Sequence, residues 1–300
     1  MIEAHRIRPA YRSVMAESPR WDAAAGSPLW IDVYEGVLHI SDPNFHEVRS
    51  VSLNEPIGCV VPTDMSGRYL CAVQSGLVLA DTDGTIERIL HLDRPGQRFN
   101  DGGCDPSGAF WAGTMEHGGV HAVGALYAMG RVGQPRRVLD DLTISNGIAW
   151  DITRSRMYFV DSATQRIDLF DWNADSGIPF NRRALIRLSD AEGSPDGIAI
   201  DGAGRIWVAM WGAGSVLAID PDGTVVERCQ LPTPFVTSCA FVGTDLDQLL
   251  VTTARGDWPG FTDATDDDAG GLYLLEPGVR GPQQPVANMD YLTRLRGVRI

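Results

Sequence analysis

One short pattern repeats six times along the chain, and this repeat constrains the fold more than any other feature. The clearest copy is residues 194–209 (SPDGIAIDGAGRIWVA). It indicates a turn with an acidic residue, a short apolar strand, a second turn and another strand. Gly and Asp are typical of turns, and β-branched and aromatic residues are typical of strands. The aspartate that opens the second turn recurs every 41 to 50 residues, at Asp22, Asp64, Asp105, Asp151, Asp201 and Asp245. The spacing indicates six equivalent structural units.

Each unit also contains further strand-like runs. A second hydrophobic run follows the first pair, and a third, more polar run often follows that, as in residues 76–80 and 84–90. No stretch has a helical period long enough to supply crossovers, so the sheets should be antiparallel and up-and-down. A period in the forties with about four strands per unit is typical of a β-propeller. We therefore predict an all-β, six-bladed β-propeller of four-stranded antiparallel blades; the alternative, a β-sandwich, has no fixed internal period.

The repeat fills nearly the whole chain, so we expect residues 1–300 to form a single propeller domain. Propellers close when one terminus adds a strand to a blade begun by the other, which removes an exposed sheet edge. The strand-like residues 11–15 (YRSVM) and the C-terminal tail are the two candidates for that strand.

Composition narrows the class of partner. The formal net charge of −14 argues against nucleic acid and anionic membranes, which both need a positive field. There is no apolar N-terminal segment and no run long enough to span a bilayer, so we expect a cytoplasmic protein, as a monomer or small homo-oligomer. Five cysteines without a C-x-x-C pair indicate neither disulfides nor a thiolate zinc site. Cys59, Cys104 and Cys239, on the predicted innermost strands, should be buried reduced thiols.

Four oxygen-bearing side chains occur five residues before an anchor aspartate: Glu17, Asn100, Asn146 and Asp196. Equivalent positions of a propeller repeat share one height and radius, so these side chains should converge near the central channel. Taken singly, Asn and Asp at such places are ordinary turn formers. Glu17 is a poor turn former, however, and the four together indicate a site.

Clustered carboxylate and amide oxygens, with no competing cation nearby in sequence, are unfavourable unless a metal neutralises them. All-oxygen ligation suits hard divalent cations, so we predict one divalent metal ion, with Ca²⁺ favoured and Mg²⁺, Mn²⁺, Zn²⁺ and Fe²⁺ as alternatives. Arg98 lies two residues before Asn100, on the same side of an extended strand, where it is either a surface charge or a group that holds a substrate oxygen.

Two other acidic stretches are weaker candidates. Residues 81–84 and 263–268 have neither Gly nor Glu at the EF-hand positions, so we expect solvated turns. Glu116, His117 and His121 surround a Gly-Gly pair, which favours a flexible loop over a metal cluster.

Five motifs, in chain order, resemble the regucalcin/gluconolactonase family of sugar lactonases: residues 16–21 (AESPRW), 98–102 (RFNDG), 111–115 (WAGTM), 144–147 (ISNG) and 195–197 (PDG). The resemblance implies a six-bladed propeller in which Glu17, Asn146 and Asp196 bind one divalent metal and Asp196 is also the general base. It implies substrate binding by Arg98 and Asn100. Gly118 stands where some members have a substrate-binding acid, and Glu116 nearby is the candidate for that contact.

The expected reaction is metal-dependent opening of a sugar (aldono-)lactone, a small-molecule substrate, to the aldonic acid. In this hypothesis the metal polarises the carbonyl, Asp196 takes a proton from water, directly or through a metal-bound water, and Arg98 or Asn100 stabilises the oxyanion. A non-catalytic metal-binding or interaction propeller is one alternative. A hydrolase of aryl esters or organophosphates is another, because a fold does not dictate its substrate.

Overall fold

The computed structural model describes residues 2–7, 12–130, 132–256 and 267–300. Within these residues, 25 strands form six sheets, antiparallel except for the last strand of the chain, and we call them blades I to VI in chain order. Blade I comprises β2 (Ala16–Asp22), β3 (Ser27–Asp32), β4 (Val37–Ser41) and β5 (Val48–Ser52). Blade II comprises β6 (Ile57–Pro62), β7 (Arg68–Val73), β8 (Gly76–Asp81) and β9 (Ile86–His91). Blade III comprises β10 (Gln97–Cys104), β11 (Phe110–Glu116), β12 (Gly124–Met129) and β13 (Arg136–Leu142).

Blades IV to VI repeat the same meander, with β1 (Ala4–Arg6) as the outermost strand of blade VI. Blade IV comprises β14 (Ser145–Asp151), β15 (Arg156–Asp161), β16 (Arg166–Asn173) and β17 (Ile178–Arg187). Blade V comprises β18 (Ser194–Ile200), β19 (Ile206–Trp211), β20 (Ser215–Ile219) and β21 (Val225–Gln230). Blade VI comprises β22 (Val236–Val242), β23 (Gln248–Thr253) and β24 (Leu272–Leu275), besides β1. The first strands of successive blades contact one another, and β22 contacts β2, so the blades form a ring. The predicted six-bladed β-propeller is confirmed.

The repeated aspartate has a clear structural role at the end of the innermost strand. Asp105 accepts hydrogen bonds from backbone amides of the following turn, and its second oxygen accepts one from Trp111 Nε1 at 3.2 Å. Asp201 makes the same contacts, with Trp207 Nε1 at 3.1 Å. A buried carboxylate must have such partners. In blades III and V the aspartate is therefore coupled to the tryptophan six residues later on the second strand.

Hydrophobic side chains fill the spaces between the blades. Six apolar clusters are present among the described residues, one at each of the six boundaries between neighbouring blades. Between blades III and IV, Trp111, Trp150 and Trp172 pack edge to face with ring centroids 5.7 to 5.8 Å apart. Such pairs stabilise by about 0.5–1.5 kcal/mol each beyond the burial of their area. Blade-to-blade packing thus replaces a single central core.

The N-terminus closes the ring. β1 pairs antiparallel with β24, and Ile7 N–H donates to Leu272 O at 2.9 Å. The expectation of a strand at residues 11–15 was wrong for the part described: Met15 makes only an isolated bridge to Ala254, while residue 11 lies outside the described residues. Residues 14 and 15 instead donate their amides to the Asp32 carboxylate, which bends this segment away from a sheet edge.

The C-terminal tail does not close the ring but packs on the outside of blade II. Helix α1 (Met289–Thr293) is followed by β25 (Val298–Arg299), which adds to the outer edge of β9 as a parallel fifth strand. No helix in the described residues is long and apolar enough to cross a membrane.

All five cysteines lie in the described part of the chain and are buried and free, as expected. Burial raises the pKa of the Cys71 and Cys229 thiols to about 12, which keeps them protonated. The acidic stretch at residues 81–84 is a turn in which Asp81 pairs with Arg68 at 2.6 Å. Of the stretch at 263–268, residues 263–266 lie outside the described residues, and Asp268 pairs with Arg6.

Candidate metal centre

Every innermost strand carries a β-bulge at the same end of the channel. The ladder shifts register between Glu17 and Arg20, Ile57 and Cys59, Phe99 and Gly102, Ser145 and Ile148, Pro195 and Ile198, and Val236 and Ser238. A bulge leaves residues outside the ladder and re-aims their side chains. Asn100, Asn146 and Asp196 lie inside their bulges, whereas Glu17 is the last paired residue before its bulge. The bulges bring the predicted site positions to one level of the ring.

Glycines let the innermost strands approach closely at this level. A Cβ on Gly147 would lie 2.6 Å from the Asp196 carbonyl oxygen, and a Cβ on Gly197 would lie 2.0 Å from Ser238 Oγ. Real Cβ atoms do not come this close to other atoms. Glycine after Asn146 and after Asp196 is therefore a packing requirement of the ring, as well as a turn signal.

Two predicted ligands are buried carboxyl groups that influence each other. Glu17 and Asp196 are each 8% exposed. Burial, followed by repulsion from Asp101, raises the pKa of Glu17 to about 8. Burial, followed by repulsion from Glu17 and Asp101, raises the pKa of Asp196 well above its usual range. Without a cation, the charged forms of these carboxyl groups are unfavourable in the folded protein.

Two buried oxygens of this group have no hydrogen-bond partner among the described residues: Asn146 Oδ1 and Asp196 Oδ1. The Asn146 amide is held by Ser162, whose Oγ accepts from Nδ2 at 3.0 Å. One oxygen of Glu17 accepts from the Ser18 amide at 2.7 Å. Buried polar atoms normally have partners, so unpartnered oxygens beside two acids are a donor set suited to a hard cation.

The protein ligands in this set are few. Within the described ranges, no three His, Cys, Asp or Glu side chains form a group that could hold a metal. A cation at this site would therefore need the neutral amide oxygen of Asn146 besides Glu17 and Asp196. The ligand set Glu17, Asn146 and Asp196 stays a prediction, and so few protein ligands would suit an ion that also takes oxygen ligands from water or substrate.

Arg98 and Asn100 contact each other directly. Arg98 is 6% exposed, and its Nη1 donates to Asn100 Oδ1 at 2.7 Å and to Phe99 O at 2.9 Å. Asn100 Nδ2 in turn donates to Ser145 O at 2.9 Å. The Asn100 amide oxygen thus faces a guanidinium, which distinguishes it from the unpartnered oxygen of Asn146. Burial lowers the pKa of Arg98, and contacts with Tyr34 and Glu17 oppose that shift.

Two charged residues of this region were not predicted. Asp101 follows Asn100 within the bulge and is buried, and burial raises its pKa. Arg20 lies 4.0 Å from the Asp101 carboxylate and donates to Gly102 O at 2.7 Å. The expectation that no cation accompanies the acids was therefore wrong. Regular strand alternation would put Asn100 and Asp101 on opposite faces, so only knowledge of the bulge could have identified Asp101.

Glu116 is the last residue of β11, and the loop that follows occupies its carboxylate. It contacts His121 Nδ1 at 2.9 Å and accepts from the His121 amide at 3.1 Å. Its side chain is 31% exposed. Contact between Glu116 and a substrate stays a prediction.

Comparison with known proteins agrees with this architecture. The sequence profile of the SMP-30/Gluconolactonase/LRE-like region matches residues 15–255. Regucalcin from Xenopus laevis is 34% identical over 284 residues, which cover 89% of this chain and 92% of that protein. The putative sugar lactone lactonase YvrE from Bacillus subtilis (strain 168) is 32% identical over 279 residues, which cover 92% of this chain and 95% of that protein.

A solved structure is similar over nearly the same length. The crystal structure of a calcium-binding protein, regucalcin, from Agrobacterium tumefaciens strain C58 superposes with a TM-score of 0.86 at 29% identity, covering 95% of this chain and 97% of that one. The family match at residues 15–255 contains all six innermost strands. The chain belongs to the SMP-30/gluconolactonase/LRE-like family.

Proposed function

We propose that this protein is a metal-dependent hydrolase that opens a sugar lactone to the aldonic acid, with Glu17, Asn146 and Asp196 as the protein ligands of one divalent cation. The observation that carries the proposal is the pair of buried, unpartnered oxygens on Asn146 and Asp196 beside Glu17. Each such atom costs about 1–3 kcal/mol when left unsatisfied. A bound cation would offset that cost.

The relatives support the substrate class and the metal. One curated relative is named as a putative sugar lactone lactonase, and the Agrobacterium protein is described as calcium-binding. Ca²⁺ is therefore our favoured ion, with Zn²⁺, Mn²⁺, Mg²⁺ and Fe²⁺ to be tested beside it. Cytoplasmic location, a single domain and a monomer or small homo-oligomer stay predictions.

When bound, a divalent cation supplies positive charge that polarises the lactone carbonyl. In the proposed mechanism, Asp196 accepts a proton from the water that attacks the carbonyl carbon. The guanidinium of Arg98 donates to the oxygen on which negative charge develops, and Asn100 holds that guanidinium through the 2.7 Å contact. The ring C–O bond then breaks, and the proton held by Asp196 passes to the departing ring oxygen. The product is one open aldonic acid.

One observation favours the non-catalytic alternative. Glu17, Asn146, Asp196 and Arg98 are each no more than 8% exposed, so these groups offer little surface for contact with a substrate. In that alternative, the buried ion has a purely structural role and holds the blades together. That alternative predicts metal-dependent melting without hydrolysis of any lactone or ester.

A panel assay separates these functions. Metal-stripped protein is resupplied with each candidate ion and assayed on sugar lactones, aryl esters and phosphotriesters, with spontaneous hydrolysis subtracted. We expect metal-dependent turnover of a sugar lactone that is lost in Asp196→Asn but retained in Asp245→Asn, a surface control. Wild-type turnover by purified Asp196→Asn would refute the assigned base, and turnover of aryl esters or phosphotriesters alone would identify the other hydrolase.

A further inference from the structure

A segment near the C-terminus crosses the end of the channel opposite the candidate metal centre. At its start, Gly281 N–H donates to Leu246 O, in the turn after the innermost strand of blade VI, at 2.8 Å. At its far end, Ala287 N–H donates to Pro62 O, the last residue of the innermost strand of blade II, at 2.8 Å. We call residues 281–286 the strap. Both of its attachments lie where innermost strands end, whereas the bulges lie where they begin.

A cavity of about 100 Å³ lies under the strap. Residues 282–285 of the strap form one side of it. All six innermost strands contribute to the remaining wall, in the order of blades I to VI, through Arg20, Val61, Gly103, Ile148, Ile198 and Phe241. A cavity between two blades would be lined by those two blades alone. This cavity therefore lies on the axis of the channel.

The innermost strands leave room at this level. A Cβ added to Gly103 would lie 3.7 Å from Ile148 Cγ2 and 3.9 Å from Trp150 Cζ3, which are ordinary van der Waals distances. At the bulges the same addition collides, since a Cβ on Gly58 would lie 2.5 Å from Phe99 O. Protein interiors contain few voids larger than a water molecule. A cavity of this size behind an apolar wall is therefore a candidate ligand site.

The apolar part of the wall determines the body of the ligand. Val, Ile, Phe and Pro side chains make up most of the lining, and they gain free energy when they cover apolar surface. An engineered apolar cavity of about 150 Å³ in another protein accepts benzene. The cavity under the strap is thus suited to a compound with about one six-membered ring.

Arg20 determines the polar part of the ligand. Among the described residues of the wall, it alone is charged. A guanidinium has five N–H groups; here one donates to Pro19 O at 2.8 Å and another to Gly102 O at 2.7 Å. Further donors are therefore available to a ligand oxygen. The Asp101 carboxylate lies 4.0 Å from Arg20 and balances its charge, so an uncharged ligand suits the site better than an anion.

We propose that the cavity is a second binding site for a small, uncharged ring compound that carries one oxygen acceptor, such as a phenol or a cyclic ketone. Its ring packs against the apolar wall, and its oxygen accepts a hydrogen bond from Arg20. Glu17, Asn146 and Asp196 are not part of the wall. The site is therefore separate from the candidate metal centre, and the inference does not depend on the proposed lactonase function.

The test uses 4-fluorophenol, because its fluorine reports binding by NMR. Its chemical shift and line width are followed against protein concentration for wild type and Gly103→Val, each in EDTA and in excess Ca²⁺. Gly103→Val places three additional carbon atoms at the cavity wall, so binding should weaken at least about tenfold. Ala23→Val, at an exposed position, adds two carbon atoms elsewhere and should bind as wild type does. EDTA should leave binding unchanged.

Two related probes test the chemistry of the ligand. Fluorobenzene has the same ring without an oxygen, and 4-fluorobenzoate carries a negative charge. Each should bind about fivefold more weakly than 4-fluorophenol, the first because it leaves Arg20 without an acceptor and the second because Asp101 repels it. Tighter binding of either probe than of 4-fluorophenol would overturn the proposed ligand class.

Other outcomes would overturn the site itself. Equal binding by folded Gly103→Val and wild type would place the ligand elsewhere, and loss of binding in EDTA would place it at the metal. No binding of any probe to wild type at millimolar concentration would also refute the inference. Melting temperatures check folding. If Gly103→Val does not fold, Gly103→Ala takes its place, because its added Cβ meets only van der Waals contacts, and it should weaken binding about twofold.

Discussion

Replacing Glu17 by Gln should have opposite effects on stability with and without metal. In the metal-free fold the pKa of Glu17 is about 8, compared with 4.5 for an unperturbed glutamate. A carboxyl group with a raised pKa in the folded state leaves stability intact below pH 4.5 and reduces it as pH rises from there to about 8. At about 1.4 kcal/mol per pKa unit, the reduction is about 3 kcal/mol at pH 7 and about 5 kcal/mol at pH 9.

Gln at this position is neutral and close to the same size, so it removes this cost. We therefore expect metal-stripped Glu17→Gln to be more stable than metal-stripped wild type by about 3 kcal/mol at pH 7. With an unfolding entropy of about 2.1 cal/mol/K per residue, that corresponds to a melting temperature about 5 °C higher for a chain of this length. The difference should grow toward pH 9 and disappear below pH 4.5. In the presence of the cation the sign should reverse, because the variant has lost a charged ligand.

Differential scanning calorimetry in EDTA and in excess Ca²⁺, at pH 5, 7 and 9, measures both effects. Glu276→Gln, at an exposed position, is the control and should shift melting under neither condition. A lower melting temperature of Glu17→Gln in EDTA would show that burial does not penalise this carboxylate. A metal-induced stabilisation equal to that of wild type would remove Glu17 from the ligand set.

Three further predictions concern the support of the site and the ring. Ser162→Ala frees the Asn146 amide to rotate and should weaken divalent-metal binding about tenfold by calorimetric titration; an unchanged Kd contradicts this. Gly58→Ala places a methyl group against Phe99 O and should cost about 1–3 kcal/mol in urea unfolding, whereas unchanged stability would show that the strands can separate. Truncation that removes Ala4–Arg6 should lower the melting temperature and expose the edge of β24, so that light scattering detects association; a monomer with unchanged melting refutes it.

The blades and most site positions follow from the sequence because both depend on a repeat. The aspartate near the end of each innermost strand recurs at the turn that follows, where Asp105 and Asp201 also bind a tryptophan, and this gives the repeat its register. Once that register is known, Glu17, Asn146 and Asp196 fall at equivalent positions without any knowledge of their contacts. Arg98 and Asn100 meet as alternation on an extended strand suggests.

What escaped prediction depends on contacts between distant segments. Asp101 lies close enough to Glu17 to raise the pKa of that residue because a bulge interrupts strand alternation. No local sequence pattern predicts that bulge. The closing strand Ala4–Arg6 has only three residues, too short for a periodic signal, so the sequence left an N-terminal strand and the C-terminal tail as alternatives.

The pairing of β1 with β24 has a consequence for how the molecule forms. β1 leaves the ribosome well before its partner β24 is synthesised, because the paired residues 4–6 and 273–275 are far apart in sequence. Contacts of such high sequence separation slow folding, and an open ring presents a free strand edge until they form. We therefore expect unfolding to begin at the β1–β24 pairing. The lifetime of the native state should depend on how often Ala4–Arg6 detaches from β24.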